Sequence, residues 1–293
     1  MNGNELLKFI RLVGLNPHLI SILSNQPVNE VYTVILDLIH EHQIYVAPII
    51  NTEKLGLYKA VIWCKKSTIP YDKAKKLAGP LVNIFRGDIE DQMFMLVFYT
   101  NLQIFEEVKK TYEELFKKLN MDCSVNLSLH IMRFINDENC YDFDNKEWIC
   151  NRKFTQISAP PRKFTPLDKE DVNLITSIQV NPAIPYWRNP HYKHIKGLLD
   201  GFIYTLGKIN YIVDIKSRKI YNHYSLISAI QLDNGEYITE YHTDKKGLDQ
   251  ILNDNKDEEI IVAVKDLAFA HGFSIPYEVF KDNKWKLPKI KIE

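Results

Sequence analysis

No apolar run in this 293-residue sequence approaches the roughly 18 residues that a membrane-spanning helix needs. The start, Met1-Asn2-Gly3-Asn4-Glu5, lacks the basic opening and apolar stretch of a secretory signal. Neither charge sign is in excess: Lys+Arg and Asp+Glu stand at 37 each, so the whole molecule exerts no long-range pull on nucleic acid or acidic membrane. Any basic footprint is therefore local. There is no CxxC pair, and Cys64, Cys123, Cys140 and Cys150 are widely spaced, which reads as a reducing compartment and argues against structural zinc. Also missing are GxGxxG, the P-loop, GxSxG and HExxH, which removes the common nucleotide, hydrolase and zinc-protease motifs. The expectation is a soluble cytoplasmic protein with no resident cofactor or metal.

Apolar residues make up 45% of the chain, enough to bury real cores, and the length suits two or three compact units. Abundant Ile, Lys, Glu and Tyr with little Gly fits thermophile composition. Leu6, Phe9, Ile10 and Val13 share a helical face. Asn16-Pro17 opens a second short helix, with Pro in a favoured early position. A third, over 28–42, turns Val31, Val34, Ile35, Leu38 and Ile39 inward, and short apolar runs at 44–50 and 58–64 follow. Three short helices and a β-wing make a winged helix-turn-helix pattern. Beyond it, the order strand, helix (71–79), strand, strand, helix (102–119), strand (125–131) is βαββαβ, the ferredoxin-like layout.

A winged helix-turn-helix joined to such a domain resembles the Lrp/AsnC (feast/famine) regulators of archaea. The stretch from Pro80 through Gly87, Asp88 and Asp91 to the apolar run 93–99 is similar to that family's strand–turn–strand. The resemblance covers roughly residues 5–135. It implies a cytoplasmic DNA-binding transcriptional regulator, a homodimer, and a small-molecule effector held near Gly87, Asp88 and Asp91.

The first helix-turn-helix recurs at a constant offset of 165: Phe9 falls on Leu174, Ile10 on Ile175, Val13 on Ile178, and Asn16-Pro17 on Asn181-Pro182. Carried further, the offset sets Ile44 on Ile209, Lys54 on Lys219 and Ile62 on Ile227. The expected fold is α+β. A winged helix-turn-helix (1–55) and a ferredoxin-like βαββαβ domain (56–150) lead into a linker (151–166). A second winged helix-turn-helix (167–222) and a diverged, shortened α/β module (223–293) complete the chain. Two fused copies would mimic a family dimer within one chain.

Phosphate neutralisation by Lys and Arg supplies most affinity for DNA. Between Arg11 and Lys54 there is none, while Glu30, Asp37, Glu41 and Glu53 all lie inside, so the first unit reads as a packing or dimerisation module. The second carries Arg188, Asn189, His191, Lys193 and Lys196 among aromatics, with Lys216, Arg218 and Lys219 on its wing. These eight residues are the candidate contacts to double-stranded DNA.

His191 and His194, at i,i+3, could share a metal, but no third ligand is obvious nearby and a DNA-facing or surface role is preferred. His40 and His42 point apart on a helix, and the acidic turn at Asp88, Glu90 and Asp91 reads as solvated. One enzyme alternative remains. Siroheme decarboxylases resemble Lrp-type regulators in architecture, and such a protein needs His and Arg facing a large cavity, with His130, Arg133 or His194 as candidates. A protein-interaction scaffold is the third reading.

Overall fold

The computed structural model describes residues 1–88, 93–158, 164–265, 269–270 and 275–287. Its first helix, α1 (Gly3–Val13), starts at a capping box in which Asn2 accepts the Glu5 N–H and Glu5 accepts the Asn2 N–H. It buries Leu6, Leu7 and Ile10. Gly14 at φ +69° then turns the chain, and a Cβ there would lie 2.8 Å from Phe202, so only glycine allows this approach of the two halves. α2 (Pro17–Ser24) is capped by Asn16, whose amide also donates to the carbonyls of Ala183 and Ile184. One Asn-Pro turn thus docks on its repeat. α3 (Val28–His40) buries Val31, Ile35 and Leu38 but leaves Tyr32, Leu36 and Ile39 facing solvent.

β1 (Tyr45–Ile50) leads into β2 (Tyr58–Lys66), the single turn α4 (Tyr71–Ala74), β3 (Val82–Gly87), β4 (Phe94–Thr100), α5 (Phe105–Lys118) and the long β5 (Asp122–Asn136). A small hairpin, β6 (Tyr141–Asp142) with β7 (Glu147–Trp148), precedes β8 (Lys153–Ser158). The repeat opens with α6 (Lys169–Val180) and the four-residue α7 (Tyr192–Ile195), followed by β9 (Leu199–Thr205). Then come β10 (Tyr211–Ser217), β11 (Leu226–Leu232), β12 (Tyr237–Thr243), α8 (Lys245–Asp254) and β13 (Glu259–Val264), with the short β14 (Phe269–Ala270), β15 (Phe280–Lys281) and β16 (Lys284–Trp285) last.

The main sheet runs β13-β10-β12-β11-β5-β2-β4-β3-β14, with β8 also on β5. Each half has the same internal order: fourth strand, first, third, second. The halves join edge to edge where β11 pairs with β5, and β3 at one end of the order comes back against β13 near the other. The long sheet therefore folds over on itself, and the inner faces of its halves oppose one another. Val61, Trp63, Met95, Val97, Ile230, Leu232, Ile238 and Ile261 fill the space between. On the outer faces α5 covers the first half, and α8 covers Val213, Ile215 and Tyr241 of the second. β1 and β9 form a separate antiparallel ribbon.

Four expectations change. The offset of 165 holds through α6 and its Asn-Pro turn and then shortens: β9 and β10 come 11–12 residues earlier than it requires, close to the 13 residues of α3. Among the described residues the repeat has no counterpart of α3, so the recognition helix expected to follow the basic segment 186–196 does not form; a short turn at 186–188 and the four-residue α7 lead straight to β9. The strand 211–217 belongs to the main sheet rather than to a wing, which moves the boundary from 222/223 to about 211. The linker is also partly ordered, because β5 outruns β2 and exposes an edge that β8 fills; the APPRK of 159–163 lies outside the described residues. Finally, the cysteines are not isolated thiols. Cys64 and Cys123 stand opposite each other on β2 and β5 and are bridged, as are Cys140 and Cys150 around the small hairpin. Separation along the chain is blind to register, so the reducing-compartment argument built on it falls. No single helix is long and apolar enough to cross a membrane among the described residues.

Candidate functional site

Charged residues on the inner faces of the half-sheets meet between them. The first half contributes Lys59 on β2, Arg86 on β3 and Arg133 on β5; the second contributes Asp214 on β10 with Glu240 and His242 on β12. Glu53, in the turn before β2, completes the group. Strand alternation puts them there: Asp214, Glu240, Ser228 and Arg133 follow one another in register across β10, β12, β11 and β5.

Arg86 donates to Glu240 at 2.9 Å and sits 3.6 Å from Asp214, with both Arg86 and Asp214 almost fully buried. Glu240 also accepts from the Ser228 hydroxyl at 3.1 Å and lies 2.8 Å from His242 Nε2. Arg133 and Glu240 are enclosed by protein yet keep part of their surface accessible, so they line an internal space rather than a packed core. The Tyr99 hydroxyl, across the strand pair from Lys59, is buried without a hydrogen-bond partner among the described residues. A buried hydroxyl left unpaired costs about 1–3 kcal/mol, which a ligand or ordered water would recover.

Electrostatics sets the sign of this space. Burial, assisted by the charge of Arg133, outweighs Glu53 and Glu240 and lowers the Lys59 ammonium to about 7. Burial likewise raises the carboxyl of Glu53, against its backbone hydrogen bond and Lys59. One guanidinium serves two carboxylates at Arg86. Burial and the charge of Glu240 push Asp214 up, while Glu240, although burial opposes its charge, is held far down by His242, Arg86 and Arg133. Burial also lowers Arg133, but a guanidinium stays charged in any protein. Near neutral pH the two guanidinium groups thus face the firmly ionised Glu240, while Lys59 and Asp214, both titrating at about 7, are each partly charged. Arg86 is engaged by Glu240 and Asp214, whereas Arg133 and Lys59 are the cations left facing the space, where they suit an anionic group.

His242 connects it with the outside, since it also lines an open pocket of about 370 Å³ together with Asn136, Lys208, His223, Ser225 and Lys246. His223 lies 2.7 Å from the Ser225 hydroxyl, and burial lowers its pKa against its hydrogen bond to Gln250.

The residues singled out from sequence are distributed differently. Arg188, Asn189, Lys193 and Lys196 are exposed on the short 186–196 segment, where Arg188 lies 5.8 Å over the Trp187 ring and Asn189 accepts the His191 N–H. Lys216 is no wing residue: it points between the half-sheets, 8% exposed, and pairs with Glu236 at 3.2 Å. Arg218 and Lys219 are exposed in the turn after β10. Gly87 ends β3, and the Asp88 N–H donates to the Met93 carbonyl; Asp91 lies outside the described residues. The expected effector turn is therefore one residue from Arg86, which carries the charge. Of the enzyme candidates, Arg133 stands in the cluster. His130 falls on the alternate face of β5, its Nδ1 enclosed and without a hydrogen-bond partner among the described residues. His194 is remote, paired with Asp171.

No family model and no curated protein matches the chain. Among solved structures it is similar to siroheme decarboxylase NirDL in co-complex with an iron-uroporphyrin III analogue, at 12% identity and a TM-score of 0.46, over 89% of this chain and 90% of that one. A second structure of siroheme decarboxylase NirDL gives the same identity and TM-score over 94% and 96%.

Proposed function

We propose that this chain is an Lrp-like pseudo-dimer, with two winged-helix and ferredoxin-like units fused and diverged, that binds a polycarboxylate small molecule between its half-sheets and acts on it as an enzyme. The observation that carries the reading is the enclosed cluster in which Arg133 and Lys59 stand beside the Arg86–Glu240–Asp214 ion pairs. Guanidinium groups hold carboxylates in fixed geometry, and an ammonium titrating near 7 is matched to proton transfer at neutral pH. In a decarboxylation the substrate's C–C bond to the carboxylate breaks, carbon dioxide leaves, and the electron pair left on carbon takes a proton. Arg133 would orient the carboxylate and Lys59 would deliver that proton.

Against a DNA reader stand three features. α3 presents apolar and acidic side chains where a duplex needs cations, the second unit lacks a recognition helix, and Lys216 is spent on Glu236.

Iron-uroporphyrin III, a polycarboxylic tetrapyrrole, is the first probe. Added to purified protein, it should give a saturable absorption change at one per chain, weakened about tenfold or more by Arg133→Gln, which removes a buried charge partner. No spectral change, together with salt-sensitive retention of duplex DNA, would return the regulator reading.

A further inference from the structure

A second constellation lies away from the sheet, where α6 meets α7. Asp168 and Asp171 are spaced i,i+3 at the start of α6, and His191 and His194 are spaced i,i+3 across α7. The repeat brings both pairs to one point. His191 Nδ1 is 3.0 Å from Asp171 Oδ1 and 3.6 Å from Asp168 Oδ1, and His194 Nδ1 is 3.4 Å from Asp171 Oδ1. One ligand atom from each of the four residues falls within 4.8 Å of all the others. Donor atoms around a tetrahedral zinc ion, bound at about 2.0–2.2 Å, stand roughly 3.3–3.6 Å from one another. Three of the aspartate–histidine separations, 3.0, 3.4 and 3.6 Å, already stand at or near that spacing.

Local structure preorganises the donors. Asp168 accepts the Asp171 N–H and Asp171 Oδ2 accepts the Asp168 N–H, a reciprocal cap that leaves Asp171 Oδ1 turned to the imidazoles. Asp171 is 1% exposed, and no lysine or arginine lies within ion-pair distance of either aspartate among the described residues. A buried carboxylate needs a cation. A divalent ion held between the carboxylates and the two imidazoles supplies it. α7 has four residues, too few for a helix to hold by itself; buried Ile195 anchors it in the core, and a metal would add a clip to α6.

We propose that Asp168, Asp171, His191 and His194 form a binding site for a divalent transition-metal ion, zinc being the best fit to two imidazoles and two carboxylates. The site is independent of the ligand chamber and stands or falls separately.

Tag-free protein is stripped with chelator and titrated with Co²⁺, read by its d–d absorption, and then with Zn²⁺ in competition. One ion per chain with tetrahedral-type bands is expected, displaced by Zn²⁺. His194→Ala removes an exposed ligand without disturbing packing and should weaken binding about tenfold or more; His191→Ala should do the same. Absence of binding by the folded protein overturns the proposal, as does undiminished binding by the double histidine variant.

Discussion

Lys59 shows how one residue carries the account. Its ammonium is buried and titrates near 7, far below the 10.5 of the unfolded chain. Between those two values the unfolded state binds more protons, so this group makes stability climb as pH rises from about 7 to 10.5. Below 7 the full cost of the buried charge is present. Lys59→Met should therefore stabilise the unliganded protein by about 1–3 kcal/mol at pH 6, with the gain fading toward pH 10.5, while abolishing turnover. Urea melts of both proteins across this range check the sign. A variant less stable at every pH would show that Lys59 serves packing. Such residues left a trace in the sequence: Lys59 interrupts the apolar run YKAVIWC, and Asp214 interrupts YIVDIKS. A charge inside a strand apolar on both faces must find a partner across the interior, but which partner depends on register, and register is invisible in one strand alone. Arg133 was reachable only through a resemblance.

Elements were more legible than sites. The Asn-Pro turns, the amphipathic α5 and the alternating β5 follow from local rules: caps, 3.6-residue stripes and period-two burial. The repeat was legible as long as its spacing was constant. It failed where the second copy lost a helix of about α3's length, since a fixed offset cannot register a deletion, and the basic segment 186–196, expected at the entry to a recognition helix, leads instead through the four-residue α7 into β9. The consequence is measurable. Charge reversal of Lys193 and Lys196 together should leave the chain's weak affinity for duplex DNA and its salt slope unchanged, as judged by fluorescence anisotropy. A drop in the slope by about one per lysine would mean that the segment clamps phosphates after all.

On the scale of the molecule, edge pairing of β11 with β5 and the return of β3 against β13 build one interior from two unlike halves. Divergence gave them different characters: Lys59, Arg86 and Arg133 with one carboxylate, Glu53, from the first, and Asp214, Glu240 and His242 with one lysine, Lys216, from the second. A homodimer would have placed each charge twice around its axis; a fused pair can place it once, which suits an asymmetric substrate. The distribution of charge, rather than the overall neutrality of the chain, decides what it binds. The same asymmetry defines the most direct test. An anion entering this space raises the Lys59 pKa, so binding at pH 7 must draw a proton from solution. Calorimetric titration of a polycarboxylate in two buffers of different ionisation enthalpy should show uptake of roughly half a proton or more per ligand, reduced by about half a proton in Lys59→Met. Binding with no buffer dependence, or uptake undiminished in the variant, would contradict the account.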